Sequence, residues 1–121
     1  GEYIRPVIFD NVDPNSKIAQ EEIFGPVLIV ITVQDIKEAI KIANNTNYGL
    51  AASIWTNDYD EACQVSKQLE SGIVHINSYG EDDNTVPFGG FKESGIGKDK
   101  SIFAFNEYSN FKTTWMKFNS L

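Results

Sequence analysis

The stretch Val27-Leu28-Ile29-Val30-Ile31 constrains the fold more than any other. Consecutive apolar residues, mostly β-branched, suit a strand buried on both faces. Such a strand belongs to a sheet with layers above and below it, and helices are the usual cover. The residues that follow supply one. Ile36, Ala39, Ile40 and Ala43 recur at i, i+3, i+4 and i+7, which is one face of a helix. Asp35, with Glu38 three positions on, is a capping box at its start.

The same alternation runs along the chain. Residues 3–12 read as a strand, broken by the turn cluster Asp13-Pro14-Asn15-Ser16. Residues 22–33 hold the second strand. Gly49 stops the first helix, and residues 50–56 follow as a third strand. Asp58 with Glu61 repeats the capping pattern ahead of a helix carrying Tyr59, Ala62, Cys63, Ser66 and Leu69 on one face, closed by Gly72. Residues 73–77 read as a strand, 101–107 as a short helix, and 111–118 alternate enough to be a last strand. The order predicts an α/β fold: a mostly parallel sheet with flanking helices. Ligands gather at the carboxyl ends of such strands.

A glycine loop follows the strand that ends at Asn77. Four of the nine glycines fall between Gly89 and Gly97, interleaved with Phe88 and Phe91. Bulky rings among glycines indicate a shaped loop, not a flexible linker. It is not a phosphate cradle: Gly90 and Gly95 have the right gap, but Ile96 stands where Lys is required. The dinucleotide fingerprint fails too, because Lys100 replaces its third glycine and no strand leads directly into it.

Other candidates are weaker. Cys63, the only cysteine, lies mid-helix on the apolar face and reads as a small buried side chain rather than a nucleophile. His75, the only histidine, reads as a half-exposed strand residue. Glu81-Asp82-Asp83 is either a solvated turn or a lure for a cationic group. If residues 21–27 are extended, Glu22 and Phe24 share a side, so that a carboxylate could accept two hydroxyls while the ring packs on a flat partner. Spacing alone favours a capped strand entry there.

Composition limits the alternatives. The 121 residues suffice for one domain with a core. A net charge of −7 disfavours nucleic acid. No apolar run approaches the ~18 residues of a membrane span. A single thiol and no secretory leader fit the cytoplasm. One histidine and one cysteine exclude a clustered His/Cys metal site. The first residue is Gly1, as expected of a processed chain or a piece of a longer one.

Taken together, four stretches resemble the C-terminal portion of an NAD(P)-dependent aldehyde dehydrogenase. They are Glu21-Glu22-Ile23-Phe24-Gly25-Pro26-Val27, Asn47-Tyr48-Gly49-Leu50, Gly72-Ile73-Val74-His75-Ile76-Asn77, and Pro87-Phe88-Gly89-Gly90-Phe91-Lys92-Glu93-Ser94-Gly95. Asp83-Asn84-Thr85-Val86-Pro87 and Gly97-Lys98-Asp99-Lys100-Ser101 echo the gamma-glutamyl-gamma-aminobutyraldehyde dehydrogenase branch. The resemblance implies part of the catalytic domain over residues 1–110 and a subunit-bridging oligomerisation strand with a tail over 111–121. It implies NAD or NADP as cofactor, an aldehyde substrate and a homo-oligomer. Glu22 matches the carboxylate that holds the nicotinamide-ribose hydroxyls, and Phe24 the ring beside them. Phe88 matches an aromatic residue of the aldehyde pocket. Asp82 and Asp83 sit where related enzymes select substrates, and here would favour an amine-bearing aldehyde.

In the family a thiolate attacks the aldehyde, hydride passes to the nicotinamide, and activated water releases the acid. The cysteine, glutamate and asparagine responsible lie upstream of the matched region, as does most of the dinucleotide-binding domain. Cys63 matches a helix position without a catalytic role. The chain is therefore expected to be an enzyme fragment, inactive alone, which needs the remainder of its parent chain. The competing expectation is a standalone binding or assembly module using the last strand.

Overall fold

The structure is a computed structural model, and residues 1–81 and 83–119 are described. Three two-stranded sheets organise it. In the first, β1 (Val7–Phe9) runs parallel to β2 (Val27–Ile29), with Val7 opposite Val27 and Phe9 opposite Ile29. Both strands are shorter than expected. Pro6 and Pro26 bring no N–H to a ladder, and Asn11 turns the chain at φ 52°. Gly25 N–H donates to the Ile23 carbonyl (2.8 Å) and Val27 N–H to that of Gly25 (2.8 Å), so residues 22–26 are tightly turned. The shared side expected of Glu22 and Phe24 presumed a straight strand, but the extended backbone of β2 begins only at Val27.

Two-faced burial of Val27 to Ile31 is corrected as well. Val27, Ile29 and Ile31 are half-buried, whereas Leu28 and Val30 are exposed. No element among the described residues covers that second face.

Between these strands lies a single helical turn, α1 (Lys17–Gln20), which the periodicity did not signal. After β2 comes α2 (Ile36–Asn44). The Asp35 carboxylate accepts the Glu38 N–H (2.8 Å), and the Glu38 carboxylate accepts the Gln34 N–H (2.7 Å). The capping box thus satisfies two otherwise orphaned donors, one of them a residue earlier than the usual reciprocal bond.

The second parallel pair is β4 (Ala51–Ile54) with β5 (Ile73–Ile76), in register from Ala51 opposite Ile73 to Ile54 opposite Ile76. The helix α3 (Tyr59–Ser66) connects them, and Asp58 caps it through the Glu61 N–H at 3.0 Å. It ends before Leu69 in tighter i+3 bonding, with Gln68 N–H on the Val65 carbonyl (2.9 Å). Ala62 packs at this seam and is 4% exposed, the most deeply buried apolar side chain among the described residues. Asn77, at φ 53°, extends the ladder: its side-chain amide accepts the Thr56 N–H (2.9 Å) and donates to the Thr56 carbonyl (2.8 Å).

The third pair corrects the reading of the glycine stretch as loop alone. Here β3 (Tyr48–Gly49) is antiparallel to β6 (Phe91–Lys92). The last helix, α4 (Ala104–Glu107), is shorter than 101–107 because Lys100 and Ser101 are left-handed (φ 59° and 54°). The expected strand over 111–118 is not formed within this chain. A strand needs a partner edge, and among the described residues none is bonded to it. Phe111 and Trp115 there are 95% and 94% exposed.

Candidate functional site

The glycine loop is a built structure. Phe88 and Asp99 exchange both backbone hydrogen bonds at 2.8 Å, closing residues 88–99 into a ring. Within it the Lys98 ammonium donates to the Gly89 (2.8 Å) and Gly90 (3.0 Å) carbonyls and lies 4.9 Å from the centre of the Phe91 ring. The loop is anchored outward as well. Ser94 Oγ accepts the Gly49 N–H (2.9 Å), and Glu93 N–H reaches the Asn47 carbonyl (2.9 Å).

Lys92 makes the widest connection. Its ammonium donates to the Asn44 (2.8 Å) and Thr46 (3.1 Å) carbonyls at the end of α2 and pairs with Glu70 at 2.6 Å. A cation there satisfies carbonyls that a helix C-terminus leaves open. The Asn44 side chain completes the junction, accepting from Glu70 N–H (2.9 Å) and donating to the Gln68 carbonyl (2.8 Å).

Two glycines show why the loop needs them. Gly72, expected to close a helix, instead admits the loop: a Cβ on it would overlap the Gly89 carbonyl. Gly97 has φ +82°, where a side chain would be strained and would meet the Glu107 carboxylate.

Glu22 is exposed on a cleft of about 450 Å³ whose walls include Tyr48, Leu50, Ala52 and Ser94. No hydrogen bond or ion pair engages its carboxylate among the described residues. Phe88 is half-buried and lines a second cleft of about 260 Å³, also bounded by Leu50 and Ser94. The two clefts therefore share a wall, which brings the neighbourhoods of Glu22 and Phe88 together. Phe24, 95% exposed, and Asp83 line neither. A larger open groove of about 870 Å³, along α2 and Asn15, contains none of the candidates.

Asp83 is fully exposed and accepts the Thr85 N–H at 2.7 Å. That bond, then the Thr85 hydroxyl, holds its carboxyl below the ordinary value; desolvation opposes this, and the charge of Lys100, the least of these effects, adds to the lowering. Asp82 lies outside the described residues. Cys63 is half-buried and hydrogen-bonded to Tyr59, whose hydroxyl is pushed up by that contact. His75 is half-buried, 6.3 Å from the Tyr79 ring. No helix among the described residues is long and apolar enough to cross a membrane.

Sequence reasoning missed Lys92, Lys98 and Ser94 as the groups that hold the loop. Their signal in the sequence is lysine interleaved with Gly and Phe, a pattern that fits no phosphate motif.

The aldehyde dehydrogenase family pattern matches residues 1–114. The chain is 46% identical over 113 residues to the NADP/NAD-dependent aldehyde dehydrogenase PuuC of Escherichia coli, covering 93% of this chain and 23% of that protein. It is 47% identical over 117 residues to the aminoacetaldehyde dehydrogenase of Pseudomonas aeruginosa, covering 96% and 24%. Among solved structures it matches the P. syringae indole-3-acetaldehyde dehydrogenase AldA, a cysteine-to-alanine mutant in complex with NAD+ and IAA. That match has a TM-score of 0.88 and 52% identity over 96% of this chain and 23% of the other. The chain thus spans about a quarter of the length of these relatives. Matched along nearly all of its length, in sequence and in fold, it belongs to the aldehyde dehydrogenase family.

Proposed function

We propose that this chain is the C-terminal part of an NAD(P)-dependent aldehyde dehydrogenase that oxidises an aldehyde, in particular an aminoaldehyde, to a carboxylic acid. Residues 1–110 complete the catalytic domain, and 111–121 supply a strand, over 111–118, with a tail, the strand bridging subunits of a cytoplasmic homo-oligomer. The branch is that of gamma-glutamyl-gamma-aminobutyraldehyde dehydrogenase. The match over residues 1–114, on a chain a quarter as long as its relatives, carries this reading. Its structural support is the broad exposed apolar surface, including Phe24, Phe111 and Trp115. A lone domain would cover such a surface.

The residues present fit the nicotinamide-ribose end of the cofactor. Glu22 offers an accessible, unengaged carboxylate on a cleft, and Phe24 an uncovered ring. Glu22 would accept the ribose hydroxyls, and Phe24 would pack beside them. The dinucleotide, when bound, supplies the hydride acceptor. Phe88 walls the aldehyde pocket, and Asp82 and Asp83 draw a cationic amine towards it. The nucleophile, general base and oxyanion donor belong to the upstream part of the protein, so this segment positions and selects without performing the chemistry.

The test is to express the complete coding region and the 121-residue segment side by side and follow aldehyde-dependent reduction of NAD+ and NADP+. The complete protein is expected to be active and the segment inert. A coding region that starts at Gly1, or a complete protein without aldehyde-dependent reduction, would support a standalone assembly module instead.

A further inference from the structure

Ser94 stands where the two clefts meet. Only Ser94 and Leu50 line both the Glu22 cleft and the Phe88 cleft, and Ser94 is the polar one of the two. It is half-buried, and its Oγ accepts the N–H of Gly49 at 2.9 Å. Gly49 is buried and directly precedes Leu50, the other shared residue. On its far side Ser94 packs on Gly90, also buried, where a Cβ would overlap the Ser94 side chain. Gly90 lies in the ring that Phe88 and Asp99 close. One hydrogen bond therefore joins the loop that carries Phe88 to the strand that leads into Leu50.

From this placement we infer that Ser94 is a positioning residue for the oxidation step: its bond to Gly49 sets the wall facing the aldehyde relative to the wall facing the nicotinamide end of the cofactor. The role rests on the functional reading above, in which Glu22 holds the ribose and Phe88 walls the aldehyde pocket. Ser94 acts through Leu50 and Phe88 and touches neither reactant. Hydride passes only when the two reactants are closely aligned, and a misplacement of about 1 Å costs about 10²-fold in rate. Loss of the hydroxyl lets the walls shift by about half an ångström, which costs about ten-fold on the same scale. The loop itself stays attached, because the Glu93 N–H still reaches the Asn47 carbonyl (2.9 Å) and Lys92 still pairs with Glu70 (2.6 Å).

The experiment is a single turnover of the complete enzyme, held in excess over aminoacetaldehyde or propionaldehyde at saturating dinucleotide, with nicotinamide reduction followed by absorbance. Ser94→Ala is expected to lower the rate constant about ten-fold and to leave the amplitude unchanged. Deuterium on the aldehyde carbon should slow the same phase further. Ser94→Cys, which keeps the shape and a weaker acceptor, should fall between the two, and it decides the matter if Ser94→Ala does not fold. An unchanged rate constant overturns the inference, with or without a smaller amplitude, since Ser94 then only supports the fold. A slowed phase that deuterium does not affect overturns it as well. An unsubstituted enzyme that reduces neither NAD+ nor NADP+ with either probe overturns the functional reading itself, and this inference with it.

Discussion

Replacing Lys98 with Met should loosen the glycine loop without unfolding the rest. Met keeps most of the apolar stem but removes the ammonium. Two hydrogen bonds are lost, to the Gly89 (2.8 Å) and Gly90 (3.0 Å) carbonyls, with the contact on Phe91 at 4.9 Å. Bonds from a charged donor contribute about 1.5–3 kcal/mol when well shielded. Lys98 is only half-buried, so solvent screening reduces each to about 0.5–1 kcal/mol, and the ring contact adds about 0.5 kcal/mol. The free energy of opening residues 88–99 should fall by about 2 kcal/mol, which speeds exchange of the Phe88 and Asp99 amides about 30-fold. Those amides close the loop at 2.8 Å each. Hydrogen exchange resolved by residue provides the assay, and the Asn77 amide, bonded to the Ile54 carbonyl at 2.8 Å, is the internal control. Unchanged exchange at Phe88 and Asp99, or equal acceleration at Asn77, would refute a local clamp.

Gly72→Ala should destabilise the protein by about 2–3 kcal/mol, because the obstacle to its Cβ is the backbone at Gly89 and not a movable side chain; denaturant midpoints measure this, and a neutral effect would contradict the close approach. Asp58→Ala should cost α3 about 1 kcal/mol through the lost Glu61 cap, read in the same titrations. Asp83 has a lowered folded-state pKa, so the 83–86 turn is stabilised above the ordinary aspartate value, and this is lost as pH falls through the folded value. The Thr85 amide shift should therefore titrate with a midpoint below that of an unstructured aspartate; a midpoint at or above it would contradict the bond.

The elements legible from sequence were those with local causes. Asp35 and Asp58 cap the helices they were expected to cap, because capping depends on residues three positions apart. The parallel pairing of β4 with β5 followed from two strands separated by a helix, whereas the single turn of α1 between β1 and β2 left no periodic signal of their pairing. What was hidden depends on distant partners. Nothing near Phe91 announces that it pairs with Gly49, and nothing near Gly72 announces the Gly89 carbonyl pressed against it. Leu28 and Val30 read as buried because their chemistry is that of a core, yet no described element covers them. Residues 111–118 read as a strand for the same reason and find no edge here. Of the candidate site, the neighbourhoods of Glu22 and Phe88 converge on Leu50 and Ser94, a wall that lies in neither motif.

The most direct test of the account is the steady-state kinetics of Glu22→Gln in the complete enzyme, together with dinucleotide affinity. Losing a charge-assisted acceptor at the ribose should lower turnover about ten-fold, equivalent to about 1.4 kcal/mol of positioning, and weaken the cofactor complex. Turnover and affinity equal to those of the unsubstituted enzyme would contradict the assignment of Glu22 to the cofactor.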